Sequence, residues 1–183
     1  MTDPNEEVVK AFLEMKGFFV RTNVRYYVKE DGKPGGNSDV DIVGINPIAK
    51  AAAGELPFEL EADHFDYIRY LALEVKGWHS ENVTPSTLAN HERIFNFTRD
   101  EARNEVAKKL GLHDFKVILA ISSFGKDQVK KQETIEALRK GGIDHVLEFS
   151  TIMQALQDGI EDNLNQDSLV MHSFRLAKKY GKK

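Results

Sequence analysis

The sequence predicts an α/β protein in which helices flank a mixed β-sheet. Two observations lead to this fold class: three strand-like segments follow the first helix, and helices then alternate with two further apolar strands. Strands in succession followed by βα alternation are typical of a mixed sheet between helices. The predicted order is α-β-β-β-α-β-α-β-α-α. We expect one domain over residues 1–183, with a core over about 5–125 and a C-terminal extension over about 126–183.

The first helix is predicted over roughly Asn5 to Lys16, because apolar residues recur there at helical spacing and Gly17 follows as a stop signal. The next segment, residues 18–29, alternates between apolar and polar side chains and is predicted to be a strand. Five of its side chains are expected to share one face: Val20, Thr22, Val24, Tyr26 and Val28. A second strand, "SDVDIVGI", follows a break that is rich in glycine.

Residues 47–66 are predicted to form an insertion with a short helix over Ile48–Ala53, and a third strand follows at about Tyr67–Trp78. The segment over residues 84–111 predicts two helices or one kinked helix, with a capping box over Thr98–Glu101. The nearly continuous apolar run "FKVILAISSF" is typical of a central strand covered on both sides. A helix, a short strand and two further helices complete the chain.

Composition excludes several classes of site. The chain has no cysteine, which removes disulfides, thiolate catalysis and cysteine-bound zinc. Neither a G-x-G-x-x-G motif nor a P-loop is present, so we expect no nucleotide cofactor. No apolar run is long enough to span a membrane and the N-terminus does not resemble a secretory signal, so a cytoplasmic protein is expected. The net charge of −4 gives no overall electrostatic attraction for nucleic acid.

Acidic residues interrupt two of the predicted strands. Asp39 and Asp41 lie two residues apart in the second strand, and Glu74 and Lys76 have the same spacing in the third. If these strands pair, Asp41 and Glu74 can lie opposite each other, with Cβ atoms roughly 5 Å apart. Two carboxylates about 4 Å apart repel by roughly 4 kcal/mol at an effective dielectric constant of about 20. Such a pair needs a cation, which is either Lys76 or a divalent metal ion.

A divalent ion explains more of the pattern than the lysine alone. Mg²⁺ takes one or two carboxylates and completes its octahedron with water and substrate phosphate, and Asp41 and Glu74 fit that demand. Lys76 would then orient or deprotonate an attacking water, which is the set of groups that metal-assisted phosphodiester hydrolysis requires. The alternative is a structural network of salt bridges on a solvated sheet face.

The segments "EEVVKAFLEMKGFFVRTN" and "DVDIVGIN…LALEVKGW" resemble the restriction-endonuclease-like PD-(D/E)xK nuclease superfamily, nearest in pattern to Holliday-junction resolvases and Mrr-type enzymes. The resemblance implies a restriction-endonuclease-like fold with an α-β-β-β-α-β core. It implies that Asp41 and Glu74 bind Mg²⁺ or Mn²⁺, that the main-chain carbonyl of Val75 adds a ligand, and that Lys76 is the motif lysine. Glu6 is the best candidate for the first-helix glutamate of such nucleases.

The same resemblance implies further residues around the site. Glu7 is the second choice for the helix glutamate, and Asp39 is either an auxiliary acid or bonds the adjacent loop. His79, Arg99 and Arg103 are candidate contacts to nucleic acid. The implied activity is metal-dependent cleavage of DNA in restriction or repair, with a homodimer as one arrangement for cutting both strands. The alternative is a nucleic-acid- or partner-binding module that keeps the fold and does no chemistry.

Overall fold

The computed structural model describes residues 3–30, 33–52, 54–77, 82–161 and 168–180. Within them a mixed five-stranded sheet has the order β1-β2-β3-β4-β5. The first three strands pair antiparallel, whereas β3, β4 and β5 are parallel. Their bounds are β1 Phe19–Glu30, β2 Lys33–Ile45, β3 Tyr70–Lys76, β4 Lys116–Ile121 and β5 His145–Glu148.

Helices cover both faces of this sheet, in the order predicted from the sequence. The α-helices are α1 Pro4–Met15, α2 Pro85–Asn90, α3 Asp100–Leu110, α4 Gln128–Lys140, α5 Phe149–Glu161 and α6 Leu169–Tyr180. Two 3-10 helices, Ala62–Tyr67 and Glu92–Thr98, supplement them. The α/β class with a mixed sheet flanked by helices is therefore confirmed.

The apolar core is divided by the sheet into two clusters. One cluster packs α1, α5 and α6 against the sheet; its centre includes Phe12, whose ring meets that of Phe65 edge-on at 5.0 Å. The other cluster packs α2, α3 and α4 on the opposite face, with Val106 and Leu138 fully buried. Strands β3 and β4 contribute to both clusters, which explains why their sequences are almost continuously apolar.

The long hairpin of β1 and β2 departs from the predicted alternation. Val20 packs against the α1-side cluster, whereas Val24, Tyr26 and Val28 belong to the cluster on the other face. Thr22 pairs with Ile42 of the α1-side cluster, so the prediction that these residues share one face is wrong at both Val20 and Thr22. The change of face occurs at Asn23, whose φ of 54° is left-handed and interrupts the regular pleat.

The predicted short helix over Ile48–Ala53 is not formed in residues 48–52, which is a correction to the sequence prediction. The main-chain N–H groups of this segment are used elsewhere: that of Ile48 donates to the Asn46 side chain, and that of Lys50 donates to the Asp66 carbonyl. Residue 53 lies outside the described part of the chain. The helical structure of this region is instead a 3-10 helix, Ala62–Tyr67, at the end of the insertion.

Helix starts after β3 follow the sequence signals in part. Thr84, the first residue of the predicted helical segment, caps α2 by accepting the Thr87 N–H at 3.2 Å. The capping box predicted at Thr98 is wrong, because its hydroxyl donates to the carbonyls of Phe95 and Gly141 and α3 begins without a side-chain cap. Thr98 thus ties the end of the second 3-10 helix to the end of α4.

Candidate active site

Asp41 and Glu74 are neighbours across β2 and β3. Ile42 pairs with Leu73, which places the preceding Asp41 opposite the following Glu74. Both carboxylates are buried, with exposures of 9% and 8%. The Val75 N–H donates to Asp41 Oδ2 at 2.7 Å. This bond and the strand register hold the two acids side by side, as the strand pairing inferred from the sequence predicted.

Lys76 lies on the same face of β3 as Glu74. Its Nζ donates to Glu74 Oε1 at 2.6 Å, and the lysine side chain is 28% exposed. The other oxygen, Glu74 Oε2, is buried and has no hydrogen-bond partner among the described residues. A buried carboxylate oxygen without a donor is costly, so this atom is a candidate ligand for a cation.

The start of α1 contributes a third carboxylate. Asp3 caps the helix by accepting the Asn5 N–H at 2.8 Å, and Glu6 follows in the first turn. A Cβ on Gly77 would lie 2.5 Å from the Asn5 side chain, so a larger residue at this position would displace that side chain at the start of α1. Glu6 Oε2 is also buried without a hydrogen-bond partner among the described residues, and the Asn23 side chain lies near enough to oppose the rise of the Glu6 pKa.

The electrostatics of the cluster reflect burial and a deficit of positive charge. Burial raises the pKa of Glu74 to about 7, and the charge of Asp41 adds to the rise. Burial likewise raises the pKa of Asp41, although the Val75 N–H opposes it, and burial and Asp41 together raise the pKa of Glu6. Burial lowers the pKa of Lys76, but the adjacent Glu74 carboxylate raises it by more, so the pKa of Lys76 lies above its ordinary value. A single lysine therefore leaves the three carboxylates under-compensated.

The carboxylate oxygens of this site suit a hard divalent cation that needs only one or two protein ligands. The described residues contain no group of three or more histidine or acidic side chains placed to hold a metal ion. Mg²⁺ does not require one, because one or two carboxylates suffice when water and phosphate fill its remaining positions. Asp41 and Glu74 supply two carboxylates, and the unpartnered Glu74 Oε2 is available to a metal.

The remaining predicted residues divide into near and distant groups. Asp39 is near, since its charge raises the pKa of both Asp41 and Glu6. Glu7 is directed elsewhere and lies 4.0 Å from Lys10 in an exposed ion pair. His79, together with Trp78, lies outside the described residues.

The two arginines of the α3 region differ in position. Arg99 precedes α3 and lies close enough to Tyr26 for its charge to oppose the rise that burial causes in the tyrosine pKa. Arg103 packs over the Phe115 ring at 5.4 Å. Phe115 directly precedes β4, at the end of the sheet opposite to Glu74, so Arg103 is not brought to the carboxylates.

Sequence reasoning missed two residues that shape the site, Asn23 and Gly77. A signal existed for Asn23, because asparagine is depleted in strands and enriched among residues with positive φ. Gly77 directly follows Lys76, but its role depends on the approach of α1, which the local sequence does not encode.

Comparison of the chain with protein-family models, curated proteins and solved structures found no match. Among the described residues, no helix combines the length and the apolar character that crossing a bilayer requires.

Proposed function

We propose that this protein is a divalent-cation-dependent endonuclease that hydrolyses phosphodiester bonds in DNA, with a fold of the restriction-endonuclease-like type. The observation that carries the proposal is the buried pair of Asp41 and Glu74 on neighbouring strands, with Lys76 bonded to Glu74. The order α-β-β-β-α-β around the pair is the one that the resemblance to PD-(D/E)xK nucleases implies. Restriction and repair are both compatible with this site.

Asp41 and Glu74 would hold Mg²⁺ or Mn²⁺, and the Val75 carbonyl would add a ligand. The ion, when bound, supplies Lewis-acid polarisation of a phosphate oxygen and a water of lowered pKa. Glu74 offers Oε2 for this purpose, because Oε1 already accepts from Lys76. The bond from the Val75 N–H to Asp41 and the pairing of β2 with β3 keep the two acids in place before substrate arrives.

Lys76 acts as a cation rather than as a base. Its pKa is raised by Glu74, so the ammonium group stays protonated at neutral pH and can only donate hydrogen bonds. In hydrolysis the water gives up a proton to the surrounding solvent as its oxygen bonds to phosphorus, while the bond from phosphorus to one sugar oxygen breaks and that oxygen takes up a proton from solvent. Lys76 orients that water and stabilises the negative charge that develops on the phosphate oxygens.

The acidic character of the site explains how an acidic protein could act on DNA. Glu6, Asp39, Asp41 and Glu74 together outnumber the single lysine, so the metal-free site repels phosphate. Divalent ions reverse that local charge. DNA binding at this site should therefore require the ion, and Glu6 and Asp39 would act on the ion's water shell.

The proposal is tested with the wild-type chain on supercoiled plasmid, linear duplex, single-stranded and branched DNA, each with Mg²⁺, Mn²⁺ or EDTA. Ion-dependent cleavage of at least one substrate is expected, and the preferred substrate identifies the DNA structure recognised. Cleavage that EDTA leaves unchanged would contradict the proposed role of the carboxylates. DNA retardation without cleavage in any lane would favour the binding module that keeps the fold and does no chemistry.

A further inference from the structure

Residues 57–60, which we call the edge segment, cover the outer side of β5. Strand β5 is the last in the order of the sheet, so its side away from β4 would otherwise present unpaired main-chain groups. The Val146 N–H donates to the Phe58 carbonyl at 2.7 Å, and the Leu60 N–H donates to the Val146 carbonyl at 2.8 Å. These two bonds form a parallel bridge between Glu59 and Val146 and close this edge of the sheet.

Side chains on both faces of the sheet hold the edge segment in place. Phe58 is buried in the cluster of α2, α3 and α4, and Leu60 is buried in the cluster of α1, α5 and α6. Glu59, the one charged residue of the segment, accepts from Lys131 Nζ of α4 at 2.7 Å. Release of the segment would therefore expose apolar surface of both clusters as well as the main chain of β5.

His145 of β5 is buried beside the edge segment and is not used by the proposed reaction. It is 6% exposed, and its Nδ1 lies 2.8 Å from the Pro57 carbonyl oxygen. A carbonyl oxygen only accepts hydrogen bonds, so Nδ1 carries the proton of the neutral ring. Nε2 then holds a lone pair, and it is buried without a hydrogen-bond partner in the part of the chain that the structure describes. Protonation would create a buried N–H at Nε2 without an acceptor, which is costly.

The groups around the imidazole favour its neutral form while the edge segment is closed. Burial is the main reason why the pKa of His145 lies below its ordinary value of 6.5, and the hydrogen bond to Pro57 opposes this shift. The charges of Lys116 on β4 and of His64 on the first 3-10 helix lower the pKa further, whereas Asp144 raises it. The closed structure therefore disfavours a positive ring.

We propose that His145 is an acid-sensitive latch: its neutral ring holds residues 57–60 on β5, and its protonation releases them and uncovers the edge of the sheet. The inference is independent of the proposed function, because the Asp41–Glu74 pair lies on β2 and β3. An open form, in which the ring meets water, binds a proton more readily than the closed form does. The equilibrium constant for opening should therefore rise by up to about tenfold for each pH unit below 6.5, until the closed form is protonated as well.

Native-state hydrogen exchange of the Val146 and Leu60 amides measures this opening, after correction for the intrinsic pH dependence of exchange. Between about pH 7.5 and pH 5 the opening constant of the wild type should rise by about tenfold at these amides, and by less at the amides of β4. His145→Asn keeps an amide nitrogen near the place of Nδ1 and does not titrate, so its opening constant should not change with pH. His64→Asn removes the neighbouring histidine and should respond to pH as the wild type does.

The imidazole resonances of the wild type give a second measurement that needs no variant. They should show the neutral ring of His145 with its proton on Nδ1 at about pH 7.5, and a ring that is already protonated there would overturn the latch. An opening constant that stays the same down to about pH 5, or a wild-type response in His145→Asn, would also overturn it. So would a response lost in His64→Asn, or an equal rise at the amides of β4, which would mean that acid unfolds the whole domain. None of these results depends on DNA cleavage or metal binding.

Discussion

Acidic residues and lysines meet at both ends of α1, and the two clusters differ in how well their charges are matched. At the C-terminal end, Lys16 and Lys50 approach the two oxygens of Asp66 at 3.4 and 2.8 Å. The hydrogen bond from Lys50 is the main reason why the pKa of Asp66 is lowered. At the N-terminal end, burial raises the pKa values of Glu6, Asp41 and Glu74.

A charge cluster becomes a candidate site through burial and unmatched charge, not through its residue types. The sequence E-x-K occurs near both clusters, as Glu14-Met15-Lys16 and as Glu74-Val75-Lys76. Only the second copy lies on a buried strand next to another strand acid. The Asp66 cluster is a structural ion network, and the Asp41–Glu74 cluster has the features expected where a cation binds.

The largest expected effect separates the two clusters by activity. Asp41→Asn should reduce the rate of DNA cleavage by at least about 100-fold, because a carboxylate that would hold the ion is lost. Asp66→Asn should cleave at nearly the wild-type rate. Initial rates on plasmid with saturating Mg²⁺ check this, and equal losses in both variants would erase the proposed distinction.

A second effect concerns stabilisation by the ion. Mn²⁺ at about 100 times its dissociation constant should raise the free energy of unfolding of the wild type by roughly 2.7 kcal/mol. Glu74→Gln should lose most of this gain, whereas Asp66→Asn should retain it. Denaturant unfolding with Mn²⁺ and with EDTA measures it. Stabilisation that survives in Glu74→Gln would place the ion elsewhere.

The pH dependence of stability should have opposite signs for the two clusters. The pKa of Glu74 in the folded protein, about 7, lies above the ordinary value of 4.5. The protonated side chain therefore contributes to the free energy of unfolding fully below about pH 4.5, and this contribution is lost as the pH rises through 7. This loss amounts to at most roughly 3 kcal/mol. The pKa of Asp66 is lowered from 3.8, so the ionised side chain contributes to the free energy of unfolding above pH 3.8, and this contribution is lost as the pH falls.

Glu74→Gln in EDTA should therefore show a weaker decline in stability between pH 4.5 and 7 than the wild type. Denaturant unfolding across this range, with Glu14→Gln as the control, gives the comparison. A decline of equal size in Glu74→Gln and the wild type would show that this carboxylate is not the group responsible.

The smallest effect is expected for the exposed lysine. Lys50 is 63% exposed in its ion pair with Asp66, and such surface pairs contribute little to stability. Lys50→Ala should leave both the cleavage rate and the thermal midpoint close to the wild type, whereas Lys76→Ala should reduce cleavage strongly. A marked loss of cleavage in Lys50→Ala would show that the C-terminal cluster of α1 also serves the reaction.

The fold and the central pair could be predicted because their signals are local and periodic. Alternation and helical spacing gave the order of elements, and the two-residue spacing in each strand placed Glu74 and Lys76 on one face. The apolar setting of Asp41 and Glu74 indicated that the strands bury them together.

The features that escaped prediction depend on tertiary contacts. The face change at Asn23 follows from one left-handed residue, which alternation alone does not reveal. The segment after Pro47 has helix-forming alanines, but its N–H groups bond Asn46 and Asp66 instead. Arg103 was a plausible contact from its place in the chain, yet its guanidinium packs on Phe115 at the far end of β4.

The most direct test of the central claim compares one chemical change at the two copies of E-x-K. Nicking of supercoiled plasmid with Mn²⁺ is followed for the wild type, Glu74→Gln and Glu14→Gln. We predict wild-type nicking by Glu14→Gln and a loss of at least about 100-fold in Glu74→Gln. Nicking by Glu74→Gln at the wild-type rate would contradict the assignment of the buried cluster as the active site.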